Sequence, residues 1–301
     1  MDKNVRHFAA AGYIFCGMAV IGLSDNAMPL LTPVTSLWVF HLMRSAMVIA
    51  MLLGIALFAG LPLLPKSWLW VTGRNLFSGG AMFLYFGALA FVPIGVAVAG
   101  LFTAPVWVLL FSVVFRAERV GWVRWLAVAM GFGGAVLVIN PAAGGLTLAA
   151  VVPVMAGVLY AIGALATRSW CEGEGTAPML FSYYLVIGVG ALIGLGVLAL
   201  APMQAAPDAA GFVARGWVTP DLPTWGWIGF QAVTSIIGVG CLTKGYQLGE
   251  ATYVAINEYA LLVFASVFAW VLWGQTLSWT ELAGMAMIVG SGAAIALRTP
   301  R

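Results

Sequence analysis

Residues 68–91, WLWVTGRNLFSGGAMFLYFGALAF, and residues 225–248, WGWIGFQAVTSIIGVGCLTKGYQL, follow one pattern of apolar runs and breaks. Set 157 positions apart, Trp70 falls on Trp227, Ser78 on Ser235, Phe111 on Phe268, Trp122 on Trp279 and Gly133 on Gly290. The register holds from Trp68–Asn140 onto Trp225–Leu297, although identities are sparse. Upstream a separation of 140 brings Ala10 onto Ala150, Gly17 onto Gly157, Gly54 onto Gly194 and Pro62 onto Pro202. The 17-residue difference between the two registers lies in one loop, Gln204–Thr224. The chain therefore divides into two related units, residues 1–143 and 144–301. Internal symmetry of hydropathy is a mark of transporter folds.

Composition fixes the solvent. Of 301 residues 63% are hydrophobic and 8% charged, with a mean hydropathy of +1.04. A soluble domain carries about 25% charged residues, so this chain cannot cover a water-facing surface and the lipid bilayer is its partner. Apolar runs of about 20 residues recur, each long enough to span as a helix. No sustained two-residue alternation of a membrane barrel is present. The basic residues are scattered between spans, which excludes a nucleic-acid surface. Cys16, Cys171 and Cys241 have no paired spacing, so neither a disulfide framework nor a metal site is expected. No nucleotide loop, cofactor motif or nucleophile–base pair is present, and Gly131–Gly134 lies within an apolar span rather than after a strand.

Ten spans are expected: Phe8–Ser24, Ser36–Gly60, Asn75–Phe91, Ile94–Phe115, Trp122–Ile139, Thr147–Thr167, Pro178–Ala201, Trp225–Gln247, Tyr253–Trp273 and Trp279–Leu297. The first follows Lys3 and Arg6 like a signal peptide, but its repeat partner Leu148–Ala164 is a span, and it is read as one. Prolines fall between or at the edges of spans, where a ring nitrogen breaks no helix bond. Tryptophans sit near span ends, where indole favours the interface. With the N-terminus in the cytoplasm, inner segments hold Lys3, Arg6, Lys66, Arg74, Arg116, Arg119, Arg124, Arg168, Lys244, Arg298 and Arg301, and outer segments hold Arg215 alone. That asymmetry follows the positive-inside pattern and puts both termini of a multi-pass plasma-membrane protein in the cytoplasm. Five spans per unit, an odd number, invert the second unit relative to the first.

Each unit also shows a span, a short turn and a glycine-rich span. The first has Pro105–Val114, then Arg116-Ala117-Glu118-Arg119, then Gly131-Phe132-Gly133-Gly134; the second has Trp273-Gly274-Gln275-Thr276 and Gly290-Ser291-Gly292. With Arg44 early in the second span, these motifs resemble the ten-span, duplicated branch of the drug/metabolite transporter superfamily. Gln275 stands where that family has a second Glu, and Leu262 stands where the first unit has Pro105. The resemblance implies an all-α fold of two inverted five-helix repeats around a central cavity, with the fifth and tenth helices outside it. It implies secondary transport of small organic metabolites by alternating access. Within the superfamily the chain is most similar to bacterial exporters of amino acids, aromatic ones in particular.

Polar groups at membrane depth are costly and face protein or a water-filled path. The densest group is Asn257-Glu258-Tyr259. Glu258 lies five residues past Tyr253, about 8 Å into its span. A hairpin between the eighth and ninth spans brings Lys244 to that level, as part of a proton site or as a static salt bridge. His41, Arg44 and Ser45 share a face of the second span. Arg44 calls for a partner, either Asp25 and Asn26 or an anionic solute. Gln231 and Ser235 share a face of the eighth span, and Ser235 is the repeat partner of Ser78. Thr103 and Trp107 flank Pro105, whose ring leaves a carbonyl unpaired. Tyr85, Tyr160 and Tyr184 add amphipathic rings. The expected substrate-binding set is therefore Tyr85, Thr103, Trp107, Tyr160, Tyr184, Gln231, Ser235, Asn257 and Tyr259, in an apolar pocket with few polar points. The expected coupling or gating set is Glu258, Lys244, His41, Arg44 and Asp25, with protons as the coupling ion. Small-residue helix faces offer a homodimer contact. Two other readings stay open: a passive facilitator, and an intramembrane lipid-modifying enzyme, for which no paired aspartate motif is present.

Overall fold

The computed structural model describes residues 3–88, 92, 94–116, 121–139, 149, 151–276 and 278–297. Among them the chain forms ten helical rods: α1 (Lys3–Asp25), α2 (Leu37–Ala59), α3 (Trp68–Ala88), α4 in two pieces (Ile94–Leu101 and Ala104–Arg116), α5 (Trp122–Ile139), α6 (Val151–Ser169), α7 (Thr176–Leu200), α8 (Leu222–Leu248), α9 in two pieces (Ala251–Asn257 and Ala260–Trp273) and α10 (Trp279–Leu297). Seven are long and apolar enough to cross a membrane. The turn with Glu118 and the 143/144 boundary lie outside the described residues.

The helices start and stop on local chemistry. Ser36 caps α2 by accepting the Val39 amide at 3.2 Å, and Gly60 ends that helix at φ 64°, a left-handed conformation glycine adopts without strain. Asp221 caps α8 by accepting the Thr224 amide at 2.9 Å, with Pro223 in the first turn.

Packing follows the sequence repeat. Helix α1 lies on α8 as α6 lies on α3; α1 meets α9 as α6 meets α4; α2 and α7 pair, as do α5 and α10. The last crossing shows the inversion at atomic scale. A Cβ on Gly133 would meet the Met287 methyl at 3.3 Å, and one on Gly290 would meet the Met130 methyl at 3.3 Å. Met130 and Met287 are themselves 157 positions apart. Between them Gly134 and Gly284 touch backbone to backbone. The small-residue faces of α5 and α10 are thus occupied within the chain rather than offered to a second copy.

Three expectations are corrected. The third helix begins at Trp68, not Asn75, so Arg74 lies inside it and is buried. The fourth and ninth rods are broken rather than continuous. In α4 the break is Phe102–Thr103, and Pro105 sits in the first turn of the second piece, where its missing N–H costs no helix bond. In α9 the break is Glu258–Tyr259, made without proline by i→i−3 bonds from Glu258 N to the Ala255 carbonyl (3.2 Å) and from Tyr259 N to that of Ile256 (3.4 Å).

The two faces differ. At the Lys66 face, Glu174 accepts the Lys66 and Ser67 amides (3.0 and 2.8 Å) at the start of α3, and Lys66 Nζ donates to the Gly173 carbonyl at 2.7 Å. Arg124 pairs with Glu250 at 2.6 Å, and Arg168 donates to the Gly249 carbonyl. At the Arg215 face, the extra residues of the second unit fold over the bundle. Arg215 donates to the carbonyls of Thr32, Thr35 and Asp208, and Trp38 Nε1 to that of Val213 at 2.8 Å. The same loop buries Phe212 between Phe40 and Phe86, with ring centroids 6.4 and 6.5 Å away.

Candidate functional site in the helix bundle

The broken rods meet. Tyr259 is fully buried, stacks on Phe102 at a centroid distance of 5.9 Å and donates its hydroxyl to the Phe102 carbonyl at 3.3 Å. Thr103 donates to the Gly100 carbonyl at 2.7 Å and accepts from Trp107 Nε1 at 3.1 Å. A Cβ on Gly157 of α6 would reach Thr103 Oγ1 at 2.6 Å, which fixes that helix against the α4 break.

Two polar clusters flank this junction. The first lies toward the Arg215 face. Arg44 Nη2 stands 3.0 Å from His41 Nδ1, and its guanidinium lies over Phe40 (4.8 Å) and Tyr184 (6.0 Å). His41 is fully buried and packs edge-on against Phe83 and Phe86. His41 Nε2, Arg44 Nε and Ser45 Oγ are buried without a hydrogen-bond partner. Tyr184 interacts with Ser235, and Asp25 acts electrostatically on Arg44 and Tyr85. Asp25 itself is exposed, in a cleft of about 280 Å³ shared with Asn26, Trp273, Gln275 and Glu281.

The second cluster lies toward the Lys66 face. Glu258 is buried and acts electrostatically on Tyr246 and Tyr160, while its Oε1 and the Tyr246 hydroxyl make no hydrogen bond. Lys244 is not part of it. Two residues before Tyr246 on α8, it points about 160° away and lines a lateral cleft of about 380 Å³ with Tyr13, Thr176 and Cys241. The expected Lys244–Glu258 pair is therefore replaced by two tyrosines. Arg74 acts electrostatically on both tyrosines; its Nε donates to Thr167 Oγ1 (2.7 Å) and its Nη1 to Asn75 Oδ1 (2.9 Å). Tyr183 and Tyr184, at right angles with centroids 5.2 Å apart, join the clusters: Arg74 lies 6.0 Å from the first ring and Arg44 6.0 Å from the second.

Other expected ligands serve the framework. Gln231 accepts from Ser24 Oγ at 2.5 Å and donates to the Ser24 carbonyl at 2.9 Å, which ties α8 to α1. Asn257 donates back to the Tyr253 carbonyl at 2.7 Å, and its Oδ1 faces Gly292 of α10. Neither is turned to a cavity, because each spends its polar atoms on backbone or a neighbouring helix. Tyr85 and Trp107 are half-buried, against Phe86 and Phe111. Among the described residues no group of three His, Cys, Asp or Glu could hold a metal. Arg74, Tyr246 and Tyr183 were missed, although the repeat held the signal for the first. Its partner 157 positions on, Gln231, lies within the expected eighth span.

Residues 8–140 match the EamA-like transporter family. A riboflavin transporter of Rhizobium johnstonii is 30% identical over 206 residues, 67% of this chain and 62% of that one. A pseudopaline exporter of Pseudomonas aeruginosa is 28% identical over 214 residues, 70% of this chain and 69% of its own. An S-adenosylmethionine uptake transporter of Rickettsia bellii is 24% identical over 217 residues, 72% of this chain and 68% of its own. A protein of known crystal structure superimposes with a TM-score of 0.76 over 96% of this chain and 99% of that one, at 20% identity, which shows that the fold is shared. Over the matched stretches the chain is similar to EamA-like transporters, and it spans between 62% and 69% of these curated relatives' own length.

Proposed function

We propose that the chain is a secondary transporter that exports small amphipathic metabolites, amino acids foremost, from the cytoplasm across a bacterial inner membrane. The observation that carries this reading is the meeting of two broken helices at repeat-related positions, Phe102 and Tyr259. Discontinuous helices at a repeat interface are where transporters bind solute and hinge. The relatives' solutes, riboflavin, pseudopaline and S-adenosylmethionine, support the small-metabolite class. A permanently open facilitator is disfavoured by Phe212 and its loop, which close the Arg215 face over the buried His41.

In this account Tyr160, Tyr183 and Tyr184 line the solute path, with Tyr85, Trp107 and Ser235 beside them. Arg44, His41 and Asp25 form the gate toward the Arg215 face, and Glu258 carries the coupling proton. Glu258→Gln keeps size but cannot ionise. In proteoliposomes it is expected to abolish accumulation driven by a pH gradient and to leave solute-for-solute exchange. Unchanged pH-driven accumulation in folded Glu258→Gln protein removes the proton from Glu258.

A further inference from the structure

Two buried charges of opposite sign stand in this bundle without an ionic partner. Arg74 is six residues into α3 and Glu258 seven residues past the start of α9. Both helices start at the Lys66 face, which puts the two groups about 9 and 10 Å deep along them. Arg74 is 7% exposed, and its hydrogen bonds go to the neutral acceptors Thr167 and Asn75. Asn75 is itself held by donating to Ser182 Oγ at 2.8 Å, so the guanidinium is oriented from two helices, α6 through Thr167 and α7 through Ser182. Glu258 is also 7% exposed, with Oε1 unpartnered. Among the described residues neither charge lies within ion-pair reach of an opposite one. Both act electrostatically, with opposite sign, on the same two side chains, Tyr160 and Tyr246.

Burying an ion without a partner costs several kcal/mol, and a polar site within a span is expected to serve solute or ion. A neutral solute would leave both charges unpaired and a singly charged one would leave one. We propose that Arg74 and Glu258 form a two-point site for a solute carrying an anionic and a cationic group on neighbouring atoms, the guanidinium taking the anion and the carboxylate the cation. This deepens the transport reading and rests on it for its role in the cycle. In that cycle the solute's cationic group and the coupling proton compete for one carboxylate, which couples release of one to uptake of the other.

The test is equilibrium binding to the full-length protein in lipid nanodiscs, with three probes of one shape: phenylalanine, 2-phenylethylamine without the anion, and 3-phenylpropionate without the cation. Phenylalanine is expected to bind about tenfold or more tighter than either analogue, the scale of one lost charge-assisted bond. Arg74→Gln should erase the preference for phenylalanine over 2-phenylethylamine while keeping that over 3-phenylpropionate. Glu258→Gln should do the reverse. A merely structural Arg74 would weaken all three alike, and that result overturns the proposal. So do equal affinities in the wild type, or no phenylalanine binding at about 10 mM. Should Arg74→Gln not fold, Arg74→Lys keeps the cation and must keep the preference for phenylalanine over 2-phenylethylamine; its loss counts against the site. Flux of phenylalanine and riboflavin through the same protein in proteoliposomes separates the two claims. Flux without the paired preference removes the site and leaves transport standing, whereas the paired preference without any flux removes transport and leaves the site.

Discussion

Phe102 and Tyr259, 157 positions apart in the sequence, stack on one another where α4 and α9 break. Each belongs to the half that the other half inverts. The contact therefore lies where the pseudo-two-fold axis relating the halves must pass, and any relative movement of the halves passes through it. Tyr259→Phe keeps the ring and loses the bond to the Phe102 carbonyl, and should cost about 1 kcal/mol. Tyr259→Ala leaves a cavity at the junction, and should cost about 3–5 kcal/mol. Thermal unfolding of the purified variants checks the order, and equal losses would show that the ring does not pack as described.

The α5–α10 crossing grades its glycines. A Cβ on Gly134 or Gly284 would stand 2.6 Å from the other's carbonyl oxygen, whereas one on Gly133 or Gly290 meets only a methionine methyl at 3.3 Å. Gly134→Ala and Gly284→Ala should each cost about 1–3 kcal/mol. Gly133→Ala and Gly290→Ala should change folded yield little, because a methionine end can swing aside. Fluorescence-detected size exclusion of the four variants reads the contrast.

The fold was legible because hydropathy is a long-range average: ten apolar runs and a repeat survive sparse identity. The breaks in α4 and α9 were half legible. Pro105 marks the first, while the second is made by backbone bonds at Glu258–Tyr259 that no residue type announces. The site was harder to read. Arg74 fits the positive-inside pattern of a loop residue, yet one and a half turns of helix precede it. Lys244 and Glu258 looked paired because hairpin helices share depth, but azimuth decides contact, and Tyr246 rather than Lys244 faces the carboxylate.

Sidedness follows from the basic residues. In a background lacking Cys16, Cys171 and Cys241, a cysteine at Lys66 should react with an impermeant maleimide only from the cytoplasm, and one at Gln204 only from outside. Both positions are exposed loop residues on opposite faces. The reverse labelling would invert the protein in the membrane.

Cys171 lies in the turn after α6, where burial pushes its thiol up to about 11. The raised value leaves about a thousandth of it as thiolate at pH 8. Alkylation of Cys171 by iodoacetamide should be far slower than that of a free thiol at pH 8, and its rate should rise about tenfold per pH unit below pH 11. Mass spectrometry of the intact protein over a pH series follows it. A plateau near pH 8.5 would mean that the thiol is not buried in the native protein.

Counterflow tests the transport claim most directly. Proteoliposomes holding the purified chain are loaded with unlabelled phenylalanine, diluted, and given a trace of labelled phenylalanine outside. A protein that closes around one solute at a time on alternate faces should draw label inward above its outside concentration, in a transient and saturable overshoot, with no ion gradient present. Label that only equilibrates, at a rate linear in concentration, would contradict alternating access and make the chain a facilitator.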